Sequence, residues 1–436
     1  MRDWSPEIIA EAAGVRLAVP APLSDDAPPG PLRVTIDSRD VRPGDLFVGL
    51  AGRNVDGGSY AGAALAAGAW GVLVSPGHAR AATGAPPGVL LAADDPLAGL
   101  QALARSWRRA LGAEVIAITG STGKTSTKDV LAAMLTQQRR VHASAQNLNT
   151  EIGLPLTILG APAGTEVLVL EMAMRGAGQI AELAAIAEPD VGVIVNVGPV
   201  HLELLGSLEA IAAAKAELLV DLRPGATAVL PVDEPLLDAH LRDDLRTVTF
   251  GAGGDVAALG DDLELPLQSR HMRLNALAAL AAARAVGVQP RGRLEVELSA
   301  LRGQRIALPG PLLIIDDCYN ANPMSMRAAL DDLAASASGR RVAVLGDMLE
   351  LGPQAAQFHS EIGRYAGECG VDVLVTVGPL AELVGADFGG ELHAADDAAA
   401  ATALVRELVA PGDTVLVKGS RGVGLEVVAQ GLRAAG

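Results

Sequence analysis

From residue 96 onward the chain repeats one pattern, a short apolar run of strand length followed by a segment with helical periodicity. A helix over 97–111 precedes a strand over 115–119, a glycine turn and a second helix. Then come a strand over 167–172, a helix over 178–186, a strand over 191–197, a helix over 208–219 and a strand over 226–230. Strands alternating with helices at this spacing specify parallel pairing through crossover helices, a doubly wound sheet whose ligands gather at the carboxyl ends of the strands. After Pro309-Gly310-Pro311 the alternation resumes, with strands over 312–316, 341–345, 371–377 and 414–417 and helices from Ser325 and over 354–367. The residues before 96 form a smaller mixture. Strands over 32–36, 46–48, 71–74 and 88–92 and one Ala-rich helix over 60–67 are interrupted by Pro/Gly-rich stretches at 20–31 and 76–87. The fold class expected is α/β in three modules, 1–95, 96–309 and 310–436. With 436 residues the chain exceeds what one core supports.

Composition restricts the partners. A net charge of −17 with scattered Lys and Arg opposes a nucleic-acid or anionic-membrane surface, while a few placed cations can still hold an anionic small molecule. Cys318 and Cys369 are far apart and unaccompanied, which suggests neither a disulfide framework nor a zinc site. The N-terminal MRDWSPEIIAEAAG lacks the apolar core of a signal peptide, and no run approaches the ~18 apolar residues of a membrane helix. A soluble cytoplasmic protein is expected.

The turn after the 115–119 strand reads Gly120-Ser121-Thr122-Gly123-Lys124-Thr125-Ser126. A phosphate loop has four residues between its first glycine and the Gly-Lys pair, and this one has two. The physics still favours phosphate. Glycines expose backbone N–H groups, the following helix presents roughly half a positive charge, and Lys124 adds a whole one. Thr125 would offer its hydroxyl to magnesium. Thr127-Lys128-Asp129 resembles a guanine-reading triplet but lies too early in the helix for that task.

Other strand ends carry polar groups. Glu171 closes one strand, where it is either a magnesium ligand or a solvated edge residue, and Asn196, His201 and Glu203 follow the next. Lys215 lies among Ile211, Leu218 and Leu219, and by spacing alone it is a snorkelling lysine. In the last module Asp316-Asp317-Cys318-Tyr319-Asn320-Ala321-Asn322-Pro323 could bond ribose or phosphate, or make a plain turn. Asp347 to Glu350 and Lys418 to Arg421 load two more strand ends, which suggests a second ligand region.

TGSTGKTSTK, NLNTEIGLP, VLEMAMRGAGQI, NVGPVHLELLGSLEAIAAAKAEL, the region of His271 and Asn275, DDCYNANPMSM, LGDMLELG and LVKGSR occur in the order seen in Mur ligases, and the shortened phosphate loop resembles that family's form. The resemblance extends to TIDSRDVRPGDLFVGLAGRNVDGG, where Ser38 and Arg39 match a Ser/Thr-Arg pair in the domain that holds UDP. YNANP and GDMLELG are similar to the member that adds D-alanyl-D-alanine to UDP-N-acetylmuramoyl-tripeptide. The chain departs from the family at Asp56-Gly57-Gly58, where Asp-Gly-His is usual, and at His271-Met272-Arg273-Leu274-Asn275, which keeps only the outer two of His-Asn-x-x-Asn. Arg302 and Arg305 both fall in the Gly-Arg stretch, and either could serve the nucleotide.

The resemblance implies a small UDP-binding domain, a central ATP-binding domain and a C-terminal Rossmann-like ligase domain. It implies ATP, magnesium at two sites, and a carbamylated Lys215 that turns a cation into an anionic metal ligand. One magnesium would sit on Thr125, and the second on Glu171, His201 and Lys215. Lys124 and residues 120–126 would hold the triphosphate. His271, Asn275, Arg302, Asp317, Asn320 and Asn322 would close the nucleotide side. Asn147, Asn149 and Thr150 would border the tripeptide, and Lys418, Ser420 and Arg421 the dipeptide carboxylate. The expected enzyme is a monomer whose domains close before chemistry. The rivals are another carboxylate-amine ligase, such as a different Mur step or folate polyglutamylation, and a phosphate-loop kinase or nucleotide switch.

Overall fold

The structure, a computed structural model, describes residues 1, 3–19, 29–145, 147–265 and 269–435; residues 20–28 of the first Pro-rich stretch lie outside them. The chain divides into two compact units, residues 1–117, 138–173 and 181–190 in the first and 118–137, 174–180 and 191–436 in the second.

The first unit holds a five-stranded sheet of β1 (Arg16–Val19), β2 (Arg33–Thr35), β3 (Asp45–Val48), β4 (Gly71–Val74) and β5 (Val89–Ala92) in the order β1-β5-β4-β3-β2. Only β1 runs antiparallel to its neighbour. Phe47, Val72, Val74, Leu90 and Ala92 alternate onto one face and pack on Ala61, Ala64 and Leu65 of the helix Ala61–Ala66. The helix Pro6–Ala13, β1 and the short helix Pro76–Ala81 are additions to the expected elements. Both helices begin with Ser followed by Pro at the first helical position, a start signal that the Pro/Gly-rich reading of 76–87 overlooked. The same unit contains the helix Pro96–Leu111, capped by Asp95, and the parallel pair β7 (Val141–Ala143) and β8 (Val167–Glu171).

A further strand, β6 (Glu114–Thr119), ends in the second unit, where Val195 N donates to Thr119 O at 2.9 Å. There β9 (Val191–Ile194), β10 (Thr227–Pro231) and β11 (Arg246–Phe250) pair in parallel in the order β11-β10-β9. The helix Lys124–Thr136 packs against the helix Arg270–Ala285, which buries Asn275 and every residue from Ala276 to Ala283. Six of those eight are alanines, so two helices approach closely without aromatic filling. A two-stranded parallel ladder joins β12 (Leu263–Glu264) to β13 (Gly292–Arg293).

The last sheet comprises β14 (Gln304–Leu308), β15 (Leu312–Asp316), β16 (Arg341–Gly346), β17 (Val373–Val377), β18 (Glu391–Ala395) and β19 (Thr414–Lys418), in the order β14-β15-β19-β16-β17-β18. Pro309-Gly310-Pro311 makes the hairpin turn between antiparallel β14 and β15, so this sheet begins at Gln304. Val342, Val344, Val415 and Val417 face the helices Ala398–Leu408 and Glu426–Ala435, while Ala343, Leu345 and Leu416 face Pro323–Ser336 and Ala355–Glu368. Both faces are covered, which is why these strands read as unbroken apolar runs. Leu345→Ala would cost about 2–5 kcal/mol. Between β15 and β16 the chain skips one position, which β19 later fills, and the loops after these three strands form the polar edge.

Candidate active site

The turn after β6 is built by one asparagine. Asn196 Oδ1 accepts from Ser121 N at 3.1 Å and Thr122 N at 3.0 Å, while its Nδ2 donates to Thr122 O at 3.2 Å and Thr122 Oγ1 at 3.1 Å. Ser121 Oγ donates to Gly198 O at 3.0 Å. The Ser121 and Thr122 amides are thus committed to the protein. Gly123 caps the helix Lys124–Thr136 with φ 76°, a left-handed conformation that favours glycine. A Cβ on Gly123 would also fall 2.4 Å from Asn275 Oδ1, so Asn275 packs directly on the loop. Lys124 Nζ donates back to Gly120 O at 2.7 Å, and Thr125 is buried.

Lys215 is 2% exposed on the helix Leu208–Val220. Burial, assisted by the charge of Lys124, pushes its pKa well below the usual lysine range. The snorkelling reading from spacing is therefore wrong, because the ammonium does not reach water. His201 adopts φ 54° just before the short helix Leu202–Leu205 and donates from Nδ1 to Glu350 Oε2 at 2.5 Å. Burial lowers the His201 pKa, Glu350 opposes the shift, and the charges of Lys124 and Lys215 add to it. Lys124, Lys215 and His201 are thus electrostatic neighbours. Among the described residues no three His, Cys, Asp or Glu side chains converge as a metal cluster. The Thr125 hydroxyl and the His201 imidazole are donor types that magnesium accepts, the hydroxyl oxygen being the harder of the two.

The C-terminal loops are tied to one another. Lys418, 2% exposed, donates to Asp317 Oδ2 at 2.6 Å, Asn320 O at 3.0 Å and Asp317 O at 3.3 Å. All three ammonium protons have acceptors in the loop after β15, so Lys418 ties that loop to β19. Ser420 Oγ accepts from Leu349 N at 2.9 Å and Ser420 N donates to Asp347 O at 3.0 Å, so Ser420 joins the β16 and β19 loops. Arg421 is exposed and pairs with Glu426 at 3.2 Å. Asn322 caps the helix Pro323–Ser336, accepting from Ser325 N at 3.0 Å while Ser325 Oγ accepts from Asn322 N at 3.0 Å. This capping box fixes the start of the helix and the Asn322 side chain with it. Asn320 Oδ1 accepts from Ala321 N at 2.9 Å. Arg305 bonds Asp332 at 2.9 Å and Ser336 at 2.8 Å, whereas Arg302 stacks 3.8 Å above the Tyr319 ring, which leaves Arg302 as the nucleotide candidate. His271 Nδ1 is buried without a hydrogen-bond partner among the described residues, and burial lowers its pKa.

In the first unit Glu171 is 1% exposed, not a solvated edge residue. Its Oε1 accepts from Asn149 Nδ2 at 2.9 Å and its N–H donates to Ser144 Oγ at 3.1 Å. Thr150 Oγ1 accepts from Gly153 N at 3.5 Å, and Asn147 is exposed in the same loop. Exposed Arg39 forks onto Asp37, whose carboxyl falls to about 2 because of that hydrogen bond, and Ser38 is partly buried between them. Gly58 has a replacement imidazole. A Cβ there would lie 2.4 Å from His78 Cδ2, and His78 Nε2 bonds Asp56 Oδ2 at 3.0 Å.

From sequence Asn196 and Glu350 are only polar residues at loaded strand ends, and His78 has no role. Asn196 had a signal, an amide at a strand end beside a glycine loop; the other two contacts join residues 149 and 22 positions apart and have no local signature.

The Mur ligase middle domain matches residues 118–262, the Mur ligase glutamate ligase domain 301–421 and the Mur ligase catalytic domain 33–93. The UDP-N-acetylmuramoyl-tripeptide--D-alanyl-D-alanine ligase of Synechocystis is 38% identical over 420 residues, covering 92% of each chain. The chain belongs to the Mur ligase family. The Bacillus subtilis Mur ligase of the same name is 34% identical over 428 residues, again covering 92% of each chain. Among solved Mur ligases, MurF from Acinetobacter baumannii superposes with a TM-score of 0.84 at 28% identity, covering 99% of both chains. MurF from Thermotoga maritima, solved in complex with ADP, gives 0.79 at 30% identity over 92% of this chain and 97% of that one.

Proposed function

We infer that this Mur ligase joins D-alanyl-D-alanine to UDP-N-acetylmuramoyl-tripeptide with cleavage of ATP, forming the pentapeptide precursor of peptidoglycan. The observation that carries the reading is the buried Lys215 beside Lys124 and His201 at a helix-capped glycine turn, in a chain 38% identical to a ligase of that name.

In the first step the terminal carboxylate of the tripeptide attacks the γ-phosphorus, ADP leaves, and an acyl phosphate results. The amine of D-alanyl-D-alanine then attacks the acyl carbon through a tetrahedral intermediate, loses a proton and expels phosphate. The protein contributes mainly position and charge. Lys124 and the amides at the start of the helix Lys124–Thr136 neutralise the phosphates, and Asn196 holds the turn rigid. Magnesium would supply positive charge that lowers the repulsion between the phosphates and the substrate carboxylate. Thr125 would hold one magnesium, and His201, Lys215 as its carbamate and, on the strength of the family resemblance alone, Glu171 would hold the second. The lowered pKa of Lys215 supports the carbamate, since only the neutral amine reacts with CO2. His271, Asn275, Arg302, Asp317, Asn320 and Asn322 are proposed for the nucleotide, Asn147, Asn149 and Thr150 for the tripeptide, Ser38 and Arg39 for the UDP moiety, and Lys418, Ser420 and Arg421 for the dipeptide. We assign a domain boundary at 95/96, a monomeric state and a cytoplasmic location; because β14 belongs to the last sheet, the second boundary moves from 309/310 to before Gln304. Among the described residues no helix is long and apolar enough to cross a membrane.

Phosphate release from ATP decides between this reading and its rivals. Release should require both UDP-tripeptide and D-alanyl-D-alanine. Release without an amine acceptor would instead indicate a nucleotide switch, and release with a folate and glutamate a different ligase.

A further inference from the structure

The bond between His201 and Glu350 joins two segments that the chain separates by 149 positions. His201 follows β9 and Glu350 follows β16. Both hold left-handed backbone conformations without being glycine, with φ of 54° and 63°. Such conformations are strained for residues with a Cβ and persist where surrounding contacts over-determine them. Those contacts are present. Glu203 N donates to Glu350 O at 3.4 Å, and a Cβ on Gly352 would come within 3.3 Å of Glu203 Cα. Gly198, in the His201 loop, leaves no room for a Cβ, because Met324 Sδ lies 1.8 Å from where it would stand. Arg175 Nε approaches the other carboxylate oxygen of Glu350 at 3.9 Å. The carboxylate is therefore oriented from both sides, and its loop is anchored by Ser420 to Leu349 N and by His359 to Met348 N.

A carboxylate only accepts hydrogen bonds, so the ring nitrogen it meets carries the proton. That nitrogen is Nδ1, which leaves the Nε2 lone pair open. We propose that Glu350 is a positioning residue for His201: it fixes the imidazole in the Nδ1–H tautomer with Nε2 bare, so the C-terminal sheet prepares a magnesium ligand that the central sheet carries. Glu350 touches neither substrate nor phosphate in this assignment. The proposal rests on the ligase reading for the identity of the metal, but not for the tautomer.

The test uses full-length protein labelled with 15N-histidine. Seven histidines are present, and His201→Gln assigns the resonance. Metal-free, substrate-free wild type should show His201 with protonated Nδ1 and bare Nε2. Glu350→Gln keeps an accepting oxygen and should retain that pattern. Glu350→Leu should lose it and bind Mn2+, followed by electron paramagnetic resonance, about 10–100-fold more weakly, the range for losing a residue that orients a metal-bound histidine. An unchanged tautomer in Glu350→Leu overturns the proposal, even if Mn2+ binding falls. A changed tautomer with unchanged Mn2+ affinity overturns it as well. Failure of acceptor-dependent phosphate release, with the tautomer as expected, would remove the ligase reading and leave the positioning role standing.

Discussion

Lys418 Nζ lies 2.6 Å from Asp317 Oδ2 and 3.0 Å from Asn320 O, so one buried ammonium organises the whole loop after β15. Lys418→Met would leave the Asp317 carboxylate without its cation. The cost should be about 2–4 kcal/mol, below the full figure for a buried pair because Asp317 is partly exposed. Urea unfolding measures it, and a change within error would show that the pair is not what holds the loop.

Asn196→Ala should loosen the phosphate turn, since it removes the acceptor of two backbone amides and a donor to Thr122. Each net hydrogen bond is worth about 1 kcal/mol, so KM for ATP should rise roughly tenfold or more. KM for the UDP-tripeptide should stay near that of wild type. Equal increases for both substrates would point to general unfolding.

Lys215→Met should separate stability from activity. Replacing a buried, unmodified lysine with an apolar chain of similar length should stabilise the protein by roughly 1–4 kcal/mol in bicarbonate-free buffer while abolishing ligation. The folded-state pKa is lowered, so the unmodified ammonium opposes folding below the usual lysine pKa, and the gap to wild type should widen as pH falls from ~10. In Lys215→Ala, added short carboxylic acids should partly restore activity. Full activity without them would refute the carbamate.

His359 is fully buried, accepting from Met348 N at 2.9 Å through Nε2 and bonding Ala355 O at 2.6 Å through Nδ1. Burial lowers its pKa, so the folded state favours the neutral ring. Its contribution is complete above the unfolded value of ~6.5 and is lost as pH falls from there through the folded pKa, at up to about 1.4 kcal/mol per pH unit. Wild type should therefore lose stability relative to His359→Gln between neutral pH and pH 5. Parallel curves would show that the ring does not titrate in this way.

The alternation of apolar runs with helical segments located the main strands of all three sheets, because strands buried on both faces must be apolar and of limited length. Among the elements it missed are β1, β7, β11, β14 and β18 and the helices Pro6–Ala13, Pro76–Ala81, Arg270–Ala285, Ala398–Leu408 and Glu426–Ala435. Strands β14 and β18 have half-exposed edges and a weak pattern, and the helices Pro6–Ala13 and Pro76–Ala81 are short enough that one Ser-Pro start is the main signal.

By itself the sequence determined the parallel α/β plan, the phosphate turn and the family, since each rests on local periodicity, on glycine and charge at a helix start, or on the order of motifs. Tertiary structure alone decided the state of the side chains. Spacing could not tell a snorkelling lysine from Lys215, because desolvation depends on what other elements cover. Nor could it show that the Lys418 protons have acceptors on Asp317 and Asn320, nor pair His201 with Glu350 across 149 residues. Dielectric surroundings and hydrogen-bond partners are set by neighbours in space, and those neighbours exist only once the chain has folded.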